Sequence, residues 1–111
     1  MSNPNKAKGT AWESAVVEYL RTHGHRHAER RALSGNTDKG DVTGMPGVVI
    51  ECKNERTTTL ATYMDEVAVE MTNADAPIGV AAVKRRNRPA ADAYVVMTLA
   101  QFAHLLSEDE S

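Results

Sequence analysis

Cysteine is almost missing from this chain: Cys52 is the only one, which excludes an internal disulfide. Long apolar runs are missing as well. No stretch approaches the length of a membrane-spanning helix, and Met1-Ser2-Asn3-Pro4-Asn5-Lys6 lacks the apolar region of a secretion signal, so an intracellular protein without membrane contact is expected. No internal repeat or low-complexity tract interrupts the sequence. Nor is there an excess of positive charge. Thirteen Lys and Arg against 15 Asp and Glu leave a net charge of -2, which argues against a uniformly basic nucleic-acid binder. What remains is ordinary in amount: 111 residues, 41% hydrophobic and 25% charged, suffice for one small core and not for two.

The distribution of charge says more than its sum. Acids gather in the middle of the chain, along 65–75 (Asp65, Glu66, Glu70, Asp75) and in the tail Glu108-Asp109-Glu110. Bases gather elsewhere, with Arg21, Arg26, Arg30, Arg31 and Lys39 ahead of the central segment and Lys84, Arg85, Arg86 and Arg88 in one run. Separated basic faces of this kind suit a protein that neutralises phosphates on selected surfaces.

The central segment Gly40-Asp41-Val42-Thr43-Gly44-Met45-Pro46-Gly47-Val48-Val49-Ile50-Glu51-Cys52-Lys53 carries the most chemistry. Two apolar runs separated by Gly-Met-Pro-Gly predict a β-hairpin. Side chains alternate along a strand, so Glu51 and Lys53 share a face about 7 Å apart, and Cys52 points to the other side as a core residue. Asp41 lies across the hairpin, and two close carboxylates repel unless a cation sits between them. Mg²⁺ binds through one or two carboxylates together with phosphate oxygens and water, and a neighbouring lysine can orient a water or hold the phosphate. For Asp41 and Glu51 to share a face, the hairpin needs an extra residue or a bulge, with Gly44 or Gly47 supplying the unusual backbone. Asp38 is the rival ligand if the parity runs the other way.

Around this segment the periodicity predicts a helix over 10–23, opened by the capping-box pattern Thr10-Ala11-Trp12-Glu13 and ended at Gly24, after a flexible basic leader over 1–9. Glu13 either caps that helix or, falling on one stripe with Val16, Val17 and Leu20, reaches toward the sheet. His23, His25 and His27 flank a glycine turn with no cysteine nearby, so they do not predict a zinc site. A strand is expected over 26–33, a loop from Ser34 to Gly40, a packing helix over 60–74, strands over 78–83 and 94–97, and a last helix capped by Thr98 and running to Leu106. The domain then spans 10–106, with an acidic tail over 107–111. The order α-β-β-β-α-β-β-α predicts an α/β fold with a central mixed sheet flanked by helices.

Gly40-Asp41, nine intervening residues and Glu51-Cys52-Lys53 resemble the Asp…Glu-x-Lys signature of the PD-(D/E)XK nuclease superfamily, in particular its Holliday junction resolvase branch. The proline that usually precedes the aspartate is Gly40 here. The resemblance extends loosely from about Lys8 to Leu106. It implies a restriction-endonuclease-like core and a Mg²⁺- or Mn²⁺-dependent endonuclease that hydrolyses phosphodiesters in branched DNA such as a four-way junction. Asp41 and Glu51 would be the metal ligands, Glu13 on the first helix an assisting acid, and Lys53 the residue that positions or activates water. Arg30, Arg31, Ser34 and Lys39, with the run Lys84, Arg85, Arg86 and Arg88, would contact DNA. Paired strand cuts imply a homodimer, and the small size suits a phage protein. A nicking or restriction-type endonuclease on duplex DNA, and a DNA-binding module of the same fold without cleavage, are the alternative readings.

Overall fold

The computed structural model describes residues 4–32 and 37–108. Its element order is α1 (Pro4–Thr22), β1 (Glu29–Arg30), β2 (Val42–Thr43), β3 (Val48–Lys53), α2 (Leu60–Ala74), β4 (Ile78–Val83), a short 3-10 turn (Ala90–Asp92), β5 (Tyr94–Val96) and α3 (Leu99–Glu108). β3 and β4 run parallel with Glu51 opposite Ala81 and Lys53 opposite Val83, and β5 returns antiparallel beside β4. Parallel strands need a crossover, and α2 is that crossover. The result is a mixed three-stranded sheet with helices on its faces, plus a two-residue ribbon of β1 and β2.

Alternation along the strands divides the interior in two. Ile50 and Ala82 face α1, where they pack with Trp12, Val16, Val17, Ala28 and Val42, and the Trp12 Nε1 donates to the Ala82 carbonyl at 3.0 Å across the buried layer. Ala81 and Val83 face α2 and meet Tyr63 and Val67, with Met64 and Met71 around them. Glu51 and Lys53 share this second face, as the strand period requires. Gly79 permits the close seating of α2: an added Cβ there would lie 2.5 Å from the Met71 Cγ and Sδ.

Three expectations need correction. α1 starts at Pro4 rather than Thr10, so Thr10 and Glu13 lie inside the helix and Lys6 and Lys8 ride on it instead of on a loose leader. Proline fits a first helical position because its missing N–H would have no intrahelical partner there. The first strand shrinks from 26–33 to Glu29–Arg30, because a turn closed by the Ala28 N–H on the His25 carbonyl occupies the residues before it. The hairpin of β2 with β3 is not a ladder. β2 pairs with β1 instead, Glu29 opposite Thr43 and Arg30 opposite Val42, and it reaches β3 through the Asp41 N–H, which donates to the Ile50 carbonyl at 2.8 Å. Of the predicted positions, Ser34 lies outside the described residues, as do 109–111 of the acidic tail. No helix among the described residues is long and apolar enough to cross a membrane.

Candidate metal centre

β3 is an edge strand, and its free edge receives Asp41. The Asp41 backbone N–H takes the Ile50 carbonyl, and its Oδ2 accepts the Cys52 N–H at 2.7 Å. These two bonds bracket Glu51, so Asp41 stands beside Glu51 without any ladder bulge. The approach depends on Gly40, whose φ is +92° and whose missing Cβ would lie 3.0 Å from the Val49 Cγ1 and 3.1 Å from the Ile50 carbonyl oxygen. A proline, locked near -65°, cannot adopt that conformation, which accounts for glycine in the position where the resemblance expects proline. Gly44 and Gly47 also have positive φ, but Gly44 lies against the His27 carbonyl, where a Cβ has no room, and Gly47 sits in the turn in which the Val48 N–H donates to the Met45 carbonyl.

Three acids converge on Glu51. One oxygen each from Asp38, Glu51 and Glu70 lie within 4.8 Å of one another, and Asp41 flanks Glu51 from the strand edge. Asp38 is set by two bonds: its Oδ1 accepts the Gly40 N–H at 2.9 Å, and its carbonyl accepts from the Asn73 Nδ2 of α2 at 2.8 Å. Glu70 points from α2 onto the sheet and is only 1% exposed. Its two carboxylate oxygens and the Glu51 Oε2 are buried without a hydrogen-bond donor. Ionised carboxylates only accept, so the close approach of Glu51 to Glu70 is a bond only when one of them carries a proton.

The electrostatics agree with that geometry. Burial, then the charge of Glu51, push Asp41 up to about 7, against the pull of the Cys52 N–H. Glu51 and Glu70 are both raised, Glu51 by burial and then by Glu70, and Glu70 by burial with Asp38 and Asp41 adding to it. Burial and Asp41 raise Glu13 too, against its bond from the Arg30 Nε at 3.3 Å. Buried acceptors without donors and raised carboxylate pKa values are compatible with a cation between these acids. One oxygen from each of Asp38, Glu51 and Glu70 at this spacing could hold a metal ion.

Lys53 completes the face. Its Nζ donates to the Glu66 Oε2 at 2.6 Å, lies 3.7 Å from the Glu51 Oε1 and sits over the Tyr63 ring, 5.1 Å from the centroid. Partial burial pulls its pKa down, but the Glu66 bond and the charges of Glu51, Glu66 and Glu55 outweigh that and hold it above the ordinary range. Lys53 is therefore a fixed ammonium, suited to holding a phosphate or orienting water rather than to removing a proton. Cys52 faces the other way, and burial followed by the nearby acids drives its thiol pKa upward, so it is no nucleophile.

Of the expected site residues, Asp41, Glu51 and Lys53 come together, Glu13 feels the charge of Asp41 but is paired with Arg30, and Asp38, expected as a rival ligand, joins Glu51. Glu66 and Glu70 were not anticipated, since 60–74 reads only as a packing helix with several acids. The available signal was their spacing: Tyr63, Glu66, Val67 and Glu70 recur at three and four residues, the stripe of a buried helix face. Among the expected DNA contacts, Arg30 is held by Glu13, and the Arg31 backbone N–H donates to the Asp41 carbonyl at 2.9 Å while its Nε is buried without an acceptor. Lys39 is exposed beside Asp38. Lys84, Arg85, Arg86 and Arg88 lie away from the acids, beyond the C-terminal ends of β3 and β4.

Compared with known protein families, with curated proteins and with solved structures, the chain matches none.

Proposed function

We propose that the protein is a divalent-metal-dependent endonuclease of the PD-(D/E)XK type, acting on branched DNA as a Holliday junction resolvase does. The observation that carries this reading is Glu51: a buried carboxylate with an oxygen lacking any donor, crowded by Asp38, Asp41 and Glu70, with the Lys53 ammonium two residues along on the same face. Glu51 would be the shared ligand, with Asp38, Asp41 and Glu70 around it and Glu13 behind Asp41. When bound, the ion supplies Lewis-acid stabilisation of charge on a phosphoryl oxygen.

The chain's own groups then have separate tasks. Glu66 fixes the Lys53 ammonium against the strand, so that it faces a phosphate with one rotamer already chosen. Its positive charge opposes the negative charge that develops on the phosphate oxygens. The two backbone bonds to β3 keep Asp41 from swinging away from Glu51. Cutting two strands symmetrically takes two such sites, so the acting form is a C2 pair.

The test is cleavage of labelled four-way junctions against linear duplex, with Mg²⁺ or with EDTA. Cleavage is expected only with the metal, and Lys53→Ala should lower its rate at least about 100-fold, as removal of one charge-stabilising group does elsewhere. Cutting in EDTA, or at full rate by Lys53→Ala, overturns the mechanism. Junction binding without any cutting would favour the binding-only reading, and faster cutting of duplex the nicking one.

A further inference from the structure

A second concavity, of about 740 Å³, opens where β3 and β4 end. The two strands leave the sheet side by side, and the Lys84 N–H, donating to the Lys53 carbonyl at 2.9 Å, extends their register by one residue. Segment 54–58 forms one wall and Lys84–Arg88 the other, with Lys8 of α1 and Tyr94 of β5 closing it. Ligands of open α/β sheets bind outside the carboxyl ends of the strands, where this hollow lies.

Its lining is cationic. Lys8, Arg56, Lys84, Arg85, Arg86 and Arg88 surround it against a single acid, Glu55, which is occupied by the Tyr63 hydroxyl at 2.6 Å. Half of these cations are anchored. Lys84 sits over the Trp12 ring, 5.6 Å from its centroid, Arg85 over the Tyr94 ring at 5.1 Å, and Arg88 pairs with Asp92 at 3.7 Å. The other half, Lys8, Arg56 and Arg86, have no ion-pair partner among the described residues. Arg86 stands on a tight turn in which the Arg88 N–H donates to the Arg85 carbonyl and Asn87 takes a φ of +59°, a conformation that asparagine tolerates. Tyr94 is 54% exposed despite its contact with Arg85.

We infer that this hollow binds an unpaired nucleic-acid strand, its phosphates on Arg56, Arg86 and Lys8 and a base stacked on Tyr94. The exposed ring decides between single and double strands. Bases in a duplex are stacked on each other and offer no free face, whereas an unpaired base can lie on an aromatic side chain, and cationic grooves with such platforms are how single strands are held. The inference rests on the nuclease reading and extends it: the hollow continues from β3 a few residues beyond Glu51 and Lys53, so it would take a strand left unpaired where a branch point is opened.

Fluorescence anisotropy in EDTA tests it without any cleavage, using a short fluorescein-labelled oligothymidylate and a blunt duplex of equal length. The oligothymidylate should bind more tightly than the duplex at low salt. The double variant Arg56→Gln/Arg86→Gln should lose about tenfold in affinity, and the slope of log affinity against log salt should shrink by about 1.4, roughly 0.7 for each phosphate no longer neutralised. Tyr94→Ala should also lose about tenfold while keeping the wild-type slope. Duplex bound as tightly as the single strand, or a double variant with wild-type affinity and slope, overturns the inference. The nuclease reading fails separately: single-strand binding as described with no Mg²⁺-dependent cleavage of any DNA removes the enzyme and leaves the hollow, and metal-dependent cleavage beside unaltered binding by the double variant does the reverse.

Discussion

Glu70 concentrates the energetic conflict of the molecule in one side chain. It is buried, its oxygens lack donors, and it faces other acids, so the metal-free protein relieves it by binding protons. Asp41, Glu51 and Glu70 all have raised pKa values, so between the ordinary carboxylate range and at least pH 7 the native state holds protons that the unfolded chain has released. By linkage, stability is full below about pH 4 as far as these groups are concerned and falls as pH rises through neutrality. In EDTA the melting temperature should therefore drop from pH 5 to pH 8, and Mn²⁺ should restore it most at the upper end. Glu70→Gln removes a charge and adds an N–H₂ that can donate to Glu51. At pH 8 in EDTA it should melt roughly 5 °C or more above wild type, for a gain of about 1 kcal/mol. In a Mn²⁺ titration it should bind at least about tenfold more weakly. A variant melting below wild type in EDTA would mean that the site is not frustrated. At this scale the sequence was legible where acid and base share a short stretch: Glu51 and Lys53 follow from strand alternation alone. Glu70 did not, because its burial depends on how α2 is rotated against the sheet, and no local pattern states that.

Elements differ in how far local sequence determines them. α2 and β4 lie at the expected boundaries, Leu60–Ala74 and Ile78–Val83, since both are long, periodic and bounded by turn residues. The β1–β2 ribbon was not legible. Its partners are twelve or more residues apart, and short apolar runs carry no record of which neighbour they will choose. The seating of α2 rests on Gly79, where an added methyl would also lie 2.7 Å from the Val67 Cγ1. Gly79→Ala should destabilise the protein by about 1 to 3 kcal/mol, measured by urea unfolding, through overpacking between helix and strand. The same shift lifts Glu70 from Glu51, so the variant should lose Mn²⁺ affinity although it alters no ligand. α3 is attached more lightly. The Gly79 N–H donates to the Gln101 Oε1 at 2.9 Å, but Leu99, Phe102 and Leu106 remain exposed.

Across the whole molecule, the acids and the basic hollow lie along the same strand, β3, with the acids on its middle and the hollow beyond its end. Net charge concealed this arrangement, because -2 averages an acidic centre with a cationic rim. The triangle of Asp38, Glu51 and Glu70 also draws on segments before, within and after β3, and the last of them belongs to the crossover that brings β4 alongside. Non-local parallel pairing across a crossover is slow to form, so the triangle is expected to assemble late in folding. An ion that recognises only the finished triangle cannot hasten its construction. Such an ion would act as a latch on the exit: stopped-flow traces should show refolding at an unchanged pace in Mn²⁺ while unfolding slows, so that a loaded protein would outlast an empty one in denaturant by persistence rather than by speed of recovery.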